Sequence, residues 1–307
     1  MRRYIFAYMQ MLHHHRYTGH QGAIYALCDD LHGGFISGGG DRIVARWQLN
    51  DNPDGEIVAR AGDAVYALHL TPYSGQLMAG TGKGGVHVID LIEEKELRLL
   101  QLHESPVFSI VASPDNKFIC TTGGDGLLNI LRSDDFSVVK RSRLTENKLR
   151  TISFHPTLPF ALAACGDGSI VELDTINWEP VSRFQAHQPG FSVNCICFSP
   201  DGNQFLTGSR DAHLHVYETS TRKQLMSIPA HNYAIYEIGF DPTGKYFATA
   251  SRDKTVKIWD YNSMGVIERL AGNDGKGHIN SVNTLLWMKN GTLLTAGDDR
   301  AIQSWIA

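Results

Sequence analysis

Several residue patterns in this chain have the types and spacing that chemistry requires. Histidine recurs some twenty residues before aspartate, as in His20 with Asp41, His231 with Asp253 and His278 with Asp299. An imidazole held by a carboxylate is the arrangement of a general base. His13, His14 and His15 are consecutive and could offer nitrogen to a metal. Cys195 and Cys197 could offer thiolate, and the glycine-rich runs at 38–40 and 80–85 could cradle a phosphate. Most of these fail on elementary grounds. In a strand only His13 and His15 share a face, and no third ligand of suitable spacing stands nearby. The Cys-Ile-Cys spacing is wrong for a zinc knuckle, so small core residues are expected there. Neither glycine run opens a helix, so hairpin turns are expected instead. No metal and no cofactor is expected.

The elements that must position these residues repeat. One unit recurs: a histidine, a short apolar strand, a turn, a second strand, an acidic turn and a third strand. Aligned on the acidic turn, the anchors are Asp41, Lys83, Asp125, Asp167, Asp211, Asp253 and Asp299. Their separations are 42, 42, 42, 44, 42 and 46 residues. Six residues after each anchor stands a large apolar residue, Trp47, Ile89, Leu131, Leu173, Tyr217, Trp259 and Trp305. Histidine holds the upstream place in five units, as His20, His103, His187, His231 and His278. A fixed period of this size marks a repeat architecture. A four-stranded sheet that is apolar on both faces cannot bury itself alone, and radial stacking solves that problem.

The chain thus resembles the WD-repeat family of β-propellers, best in the unit from Ala230-His231 to Trp259-Asp260. The second and fourth units are worn, with Ala61 and Thr145 in the histidine place and Lys83 in the acid place. The resemblance implies an all-β, seven-bladed propeller of four-stranded antiparallel blades. One domain is expected over 1–307, with repeats near 18–59, 60–101, 102–143, 144–185, 186–229, 230–275 and 276–307. Residues 11–17 are expected to complete the last blade, because the seventh unit carries no fourth strand before Ala307. A ring closed by that N-terminal strand removes two exposed sheet edges. The resemblance also implies that His, Asp, a strand hydroxyl and Trp form a structural chain within a blade. His20, Asp41 and Trp47 form one such set, and His278, Asp299 and Trp305 another. In the sixth blade His231, Asp253 and Trp259 are joined by either Thr249 or Ser251. A catalytic set would occur once, whereas this one recurs, so no catalytic residue is assigned.

Function is then sought where the units differ. The residue after each first-strand anchor is Tyr25, Tyr66, Phe108, Arg150, Asn194, Tyr236 or Asn283. By strand alternation it faces the mouth of the central channel. Just before the acidic turns stand Gly40, Gly82, Gly124, Gly166, Arg210, Arg252 and Asp298. Family members that the chain resembles bind peptides at such positions on the top face. Tyr and Arg are enriched in binding hot spots, and arginine pairs with carboxylate or phosphate in a fork. The expected partner is a protein, through a peptide or loop with an apolar anchor and an acidic neighbour, seated where glycines leave room beside the rings. A second reading stays open, in which the rings plug the channel and the arginines pair with Asp41, Asp298 or other local acids. Trp178 is conspicuous on a loop, either as an exposed contact anchor or as a cover for the outer edge of the fourth blade.

Composition sets the outer limits. The 28 basic and 32 acidic residues leave a formal net charge of −4, which gives no sign of a nucleic-acid or membrane-surface binder. No run approaches the roughly 18 apolar residues of a membrane helix. The basic-then-apolar start at residues 1–10 lacks a cleavage-type sequence, so no secretory signal is expected. Five cysteines without a disulfide or zinc spacing point to reduced thiols and a cytoplasmic location. The leading function is a non-enzymatic interaction scaffold. The alternatives are an enzyme with its site at the channel mouth and a nucleic-acid-binding propeller.

Overall fold

The computed structural model describes residues 10–49, 54–71, 75–272 and 276–307. The opening segment 1–9, whose role the sequence left open, lies outside them. The chain forms seven four-stranded antiparallel sheets arranged as a ring. In sequence order these blades span 24–60, 65–101, 107–143, 149–185, 193–229, 235–270 and 282–306. The inner strands of successive blades pack against one another around a central channel, and the inner strand of blade 7 returns to that of blade 1. The hydrophobic clusters lie mostly between blades, which is why both faces of the inner three strands are apolar. For example, Val65 and Leu68 of blade 2 share a cluster with Ile36 and Val44 of blade 1.

Ring closure follows the sequence expectation. The strand Leu12–Thr18 pairs antiparallel with Ala301–Ile306, so blade 7 combines three C-terminal strands with the N-terminal one. Its register runs from Leu12 opposite Ile306 to Thr18 opposite Ala301, with a bulge between His13 and His15. His13 bonds Gln303 through Nε2 at 2.7 Å, and His15 packs edge-on to Tyr17. Tyr17 is buried against Phe35 and Trp47 of blade 1, and Met11 is buried in the interface with blade 6.

A second device links neighbours at the rim. The turn between the third and outer strands places one residue in the left-handed region: Phe136, Trp178, Arg222 and Met264, with φ between 53° and 60°. Each reaches back to the preceding blade. Phe136 joins the cluster of Val88, Met264 that of Leu206, and Arg222 lies over Phe160 and pairs with Glu172. Trp178 meets Phe118 of blade 3 at 5.4 Å and Phe154 of its own blade at 6.1 Å between ring centroids, both edge-on. It is buried, so the expectation of an exposed loop anchor is corrected. In blade 2 the same turn places Glu94 at φ 50° with its side chain exposed, so the left-handed backbone permits this reach without dictating it.

Candidate functional site

The repeated histidine–aspartate pairs form buried chains. In blade 1 the Trp47 indole N–H donates to Ser37 Oγ at 2.7 Å, Ser37 lies 2.8 Å from His20 Nε2, and His20 Nδ1 lies 2.9 Å from Asp41. Blade 6 repeats this through Trp259, Thr249, His231 and Asp253, which selects Thr249 over Ser251 as the connecting hydroxyl. Blade 7 uses Trp305, Thr295, His278 and Asp299. Blade 3 lacks the tryptophan and substitutes Asn129, which donates from Nδ2 to His103 Nε2 at 3.0 Å. Asp253 is held well below the ordinary carboxylate range. Burial opposes this, but the His231 and Thr255 hydrogen bonds outweigh it. A fully satisfied network of this kind stiffens the hairpin it spans.

The other sequence-selected set converges on the channel mouth, and one backbone device places it there. In all seven blades the pairing of the first two strands slips by one residue immediately after the apolar anchor. The extra residue at that β-bulge is Tyr25, Tyr66, Phe108, Arg150, Asn194, Tyr236 or Asn283. A bulge re-aims its side chain away from the ordinary alternation. Simple alternation therefore chose the right residues without the device that turns them.

Four of the seven assemble into one ladder around the mouth. Tyr25 stacks on Tyr66 with centroids 4.7 Å apart, Tyr66 meets Phe108 edge-on at 6.3 Å, and the Arg150 guanidinium lies 4.3 Å above the Phe108 ring. Burial pushes the Tyr25 phenol above its ordinary value, helped by Tyr66 and Asp298. Burial lowers the pKa of Arg150, whose Nε is buried without a hydrogen-bond partner. An arginine remains charged even so. Tyr236 lines the same mouth, which has a volume of about 540 Å³.

The two asparagines do something else. Asn194 donates to the Ile235 carbonyl at 2.8 Å, and Asn283 to the Ile24 carbonyl at 3.0 Å, so each straps its inner strand to the next blade. Asn283 also holds Asp298 at 2.8 Å. A methyl at Gly82 would come within 3.1 Å of Asp63 Oδ2 and 3.3 Å of the Tyr66 ring, and one at Gly124 within 3.0 Å of Ser105 Cβ and 3.4 Å of the Phe108 ring, so these two glycines sit close against their own blade. Arg210 and Arg252 are exposed on the same rim, with Arg252 5.9 Å from the Tyr233 ring. Among the described residues none of Arg150, Arg210 and Arg252 forms a salt bridge, and Asp41 and Asp298 have other partners. The thought that local acids neutralise these arginines therefore fails, whereas the packing of the rings on one another is observed.

Below this ring Glu237 lines the channel and accepts from the Leu285 N–H of blade 7 at 3.2 Å. Sequence reading missed it, because the bulge gives it the facing of a core position. Burial pushes its carboxyl up from 4.5 to about 7, against the pull of Thr284 and Leu285. The folded state thus keeps a proton that the unfolded chain releases earlier, and stability falls as pH rises from the unfolded value through about 7. Glu237→Gln should raise Tm at pH 8, by about 2–4 °C for each kcal/mol recovered, and leave Tm at pH 4 unchanged. Equal effects at the two pH values in differential scanning calorimetry would refute this.

Among the described residues no group of three or more His, Cys, Asp or Glu side chains is placed to hold a metal. Cys195 and Cys197 are free, and burial pushes the Cys197 thiol up to about 12, which suppresses thiolate chemistry. No helix among the described residues is long and apolar enough to cross a membrane.

A family model described as WD domain, G-beta repeat matches residues 12–48, 94–130, 178–218, 222–260 and 273–305, more than half of the chain. The long unmatched stretches contain Ala61 with Lys83 and Thr145, the worn positions of the second and fourth units. WD repeat-containing protein 1 of Gallus gallus is 36% identical over 251 residues, covering 78% of this chain and 40% of that protein. Pre-mRNA-processing factor 19 of Bos taurus is 26% identical over 175 residues, covering 57% of this chain and 35% of that protein. Echinoderm microtubule-associated protein-like 2 of Homo sapiens is 26% identical over 200 residues, covering 64% and 30%. The chain thus spans well under half the length of these curated relatives. The crystal structure of the WD40 β-propeller domain of Doa1 superposes with a TM-score of 0.85 at 17% identity, covering 96% of both chains, a likeness of fold alone.

Proposed function

The chain belongs to the WD-repeat family, and from that premise we propose that it is a non-enzymatic scaffold that binds a peptide or loop of a partner protein at the channel mouth. The support is the ladder of Tyr25, Tyr66 and Phe108 ending on Arg150, a deeply set cation with no carboxylate partner among the described residues. Stacked rings offer a broad apolar face, and Arg150, with Arg210 and Arg252 beside it, favours an acidic group next to the apolar anchor. The relatives' names, a pre-mRNA-processing factor and a microtubule-associated protein-like protein among them, agree with work inside assemblies of proteins. Five free cysteines agree with a reducing, cytosol-like compartment.

The test compares partners recovered by wild type with those recovered by Tyr66→Ala combined with Arg210→Ala. Two hot-spot residues worth about 2 kcal/mol each would lower recovery far more than tenfold. Unchanged recovery by a folded double variant would overturn the top-face assignment.

A further inference from the structure

The aromatic ladder at the channel mouth ends on a cation, and its other end carries an acid. Tyr25, Tyr66 and Phe108 come from blades 1, 2 and 3, and Arg150 from blade 4. On the Tyr25 side stands Asp298, in the turn between the second and third strands of blade 7. Asn283 fixes it there. The same Nδ2 donates to the Ile24 carbonyl at 3.0 Å and to Asp298 Oδ1 at 2.8 Å, so the carboxylate is strapped to the residue preceding Tyr25. The Asp298 N–H in turn donates to the Ser281 carbonyl at 2.9 Å. At the equivalent turn position Gly40, Gly82, Gly124 and Gly166 carry no charge, and Arg210 and Arg252 carry the opposite one.

Both ends of the ladder are open to a ligand. All five residues line the same cavity of about 540 Å³. Asp298 is exposed, and the three rings and Arg150 are only half-buried, so each presents surface to it. Among the described residues neither Arg150 nor Asp298 forms a salt bridge, with the other or with any third group. The side-chain bond to Asp298 comes from a neutral amide, so its charge stays uncompensated. In the ring order of blades 7, 1, 2, 3 and 4 the two charges stand nearly opposite across the mouth, with three rings between them. A ligand carrying only an acid gains at Arg150 and is repelled at Asp298. One carrying both signs gains at each end.

We propose that the mouth selects a peptide or loop of mixed charge, in which a basic and an acidic side chain flank an apolar one. The acid meets Arg150, the apolar group lies on the ladder and the base meets Asp298. This rests on the reading of the mouth as a peptide site, and adds to it the second charge and the line along which the segment crosses the ring.

The test titrates the full chain into acetylated, amidated pentapeptides with 4-fluorophenylalanine at the centre, followed by 19F NMR. The mixed probe is Lys-Gly-Phe-Gly-Glu, used in both chain directions; glutamine replaces the lysine in an acid-only probe and the glutamate in a base-only one. The better mixed probe should bind in the millimolar range or tighter. Losing its glutamate should weaken binding about tenfold and losing its lysine about threefold, because a half-buried charge counts for more than an exposed one. Asp298→Asn, which keeps the bond from Asn283, should erase the preference for lysine and retain that for glutamate; Arg150→Gln should do the reverse. An acid-only probe that binds as well as the mixed one, or a lysine preference that survives Asp298→Asn, overturns the mixed-charge inference and leaves the peptide site standing. Binding by none of the probes, or binding that Tyr66→Ala leaves unchanged, overturns both.

Discussion

Removal of residues 1–18 should abolish the cooperative thermal transition of this protein, or lower its Tm by well over 10 °C. The strand lost pairs along the whole of Ala301–Ile306 and buries Met11 and Tyr17. Burying a large apolar side chain contributes about 1.5–3 kcal/mol, and each net backbone hydrogen bond about 0.5–1.5 kcal/mol. Together these approach the roughly 5–15 kcal/mol by which a whole domain is stable. The deletion also exposes Trp305 and the unpaired edge of Ala301–Ile306, which invites association between copies. Circular dichroism melts and size-exclusion chromatography check this. A monomeric truncation that melts like the full chain would show that the closing strand does not hold the ring.

Trp178→Ala should be the most damaging single substitution at the blade rims, costing about 3–5 kcal/mol as an unfilled cavity between blades 3 and 4. Trp178 is 4% exposed and lies edge-on to Phe118 and Phe154, so no neighbouring side chain can readily take its place. Ile176 in the same turn is 71% exposed, and Ile176→Ala should move stability by no more than about 0.5 kcal/mol. Comparing the two by urea denaturation separates packing from turn propensity. Similar midpoints for both variants would mean the indole does not bridge the blades.

What the sequence made legible follows its periodicity. A period near 42 residues reports the blades, because each blade uses the same local solution, and the histidine, aspartate and tryptophan of a good unit identify one another at fixed offsets. The ring residues at the mouth were also legible, since their place relative to the anchor never varies. Contacts between blades were not. That Asn194 would strap Ile235, or that Asn283 would strap Ile24, depends on neighbours brought together by the curvature of the ring. Trp178 stayed open between an exposed anchor and an edge cover because its turn looks like a solvent loop, and only the contacts with Phe118 and Phe154 decide for the buried position. Asn129 took the place of a missing tryptophan by reaching His103 from two residues earlier, which no alignment of equivalent positions would reveal.

The pairing of Leu12–Thr18 with Ala301–Ile306 has a consequence in time. A ribosome makes the first of these strands long before the second, and at about 5–20 residues per second the interval is on the order of 15–60 s. Until Ala301–Ile306 has been made, Leu12–Thr18 has no mate, while six blades can stack as an open arc. The last step in forming this ring is then the docking of its first strand onto its last. Anything that captures the leading segment in that interval, a chaperone or a neighbouring nascent chain, decides whether the arc becomes a circle.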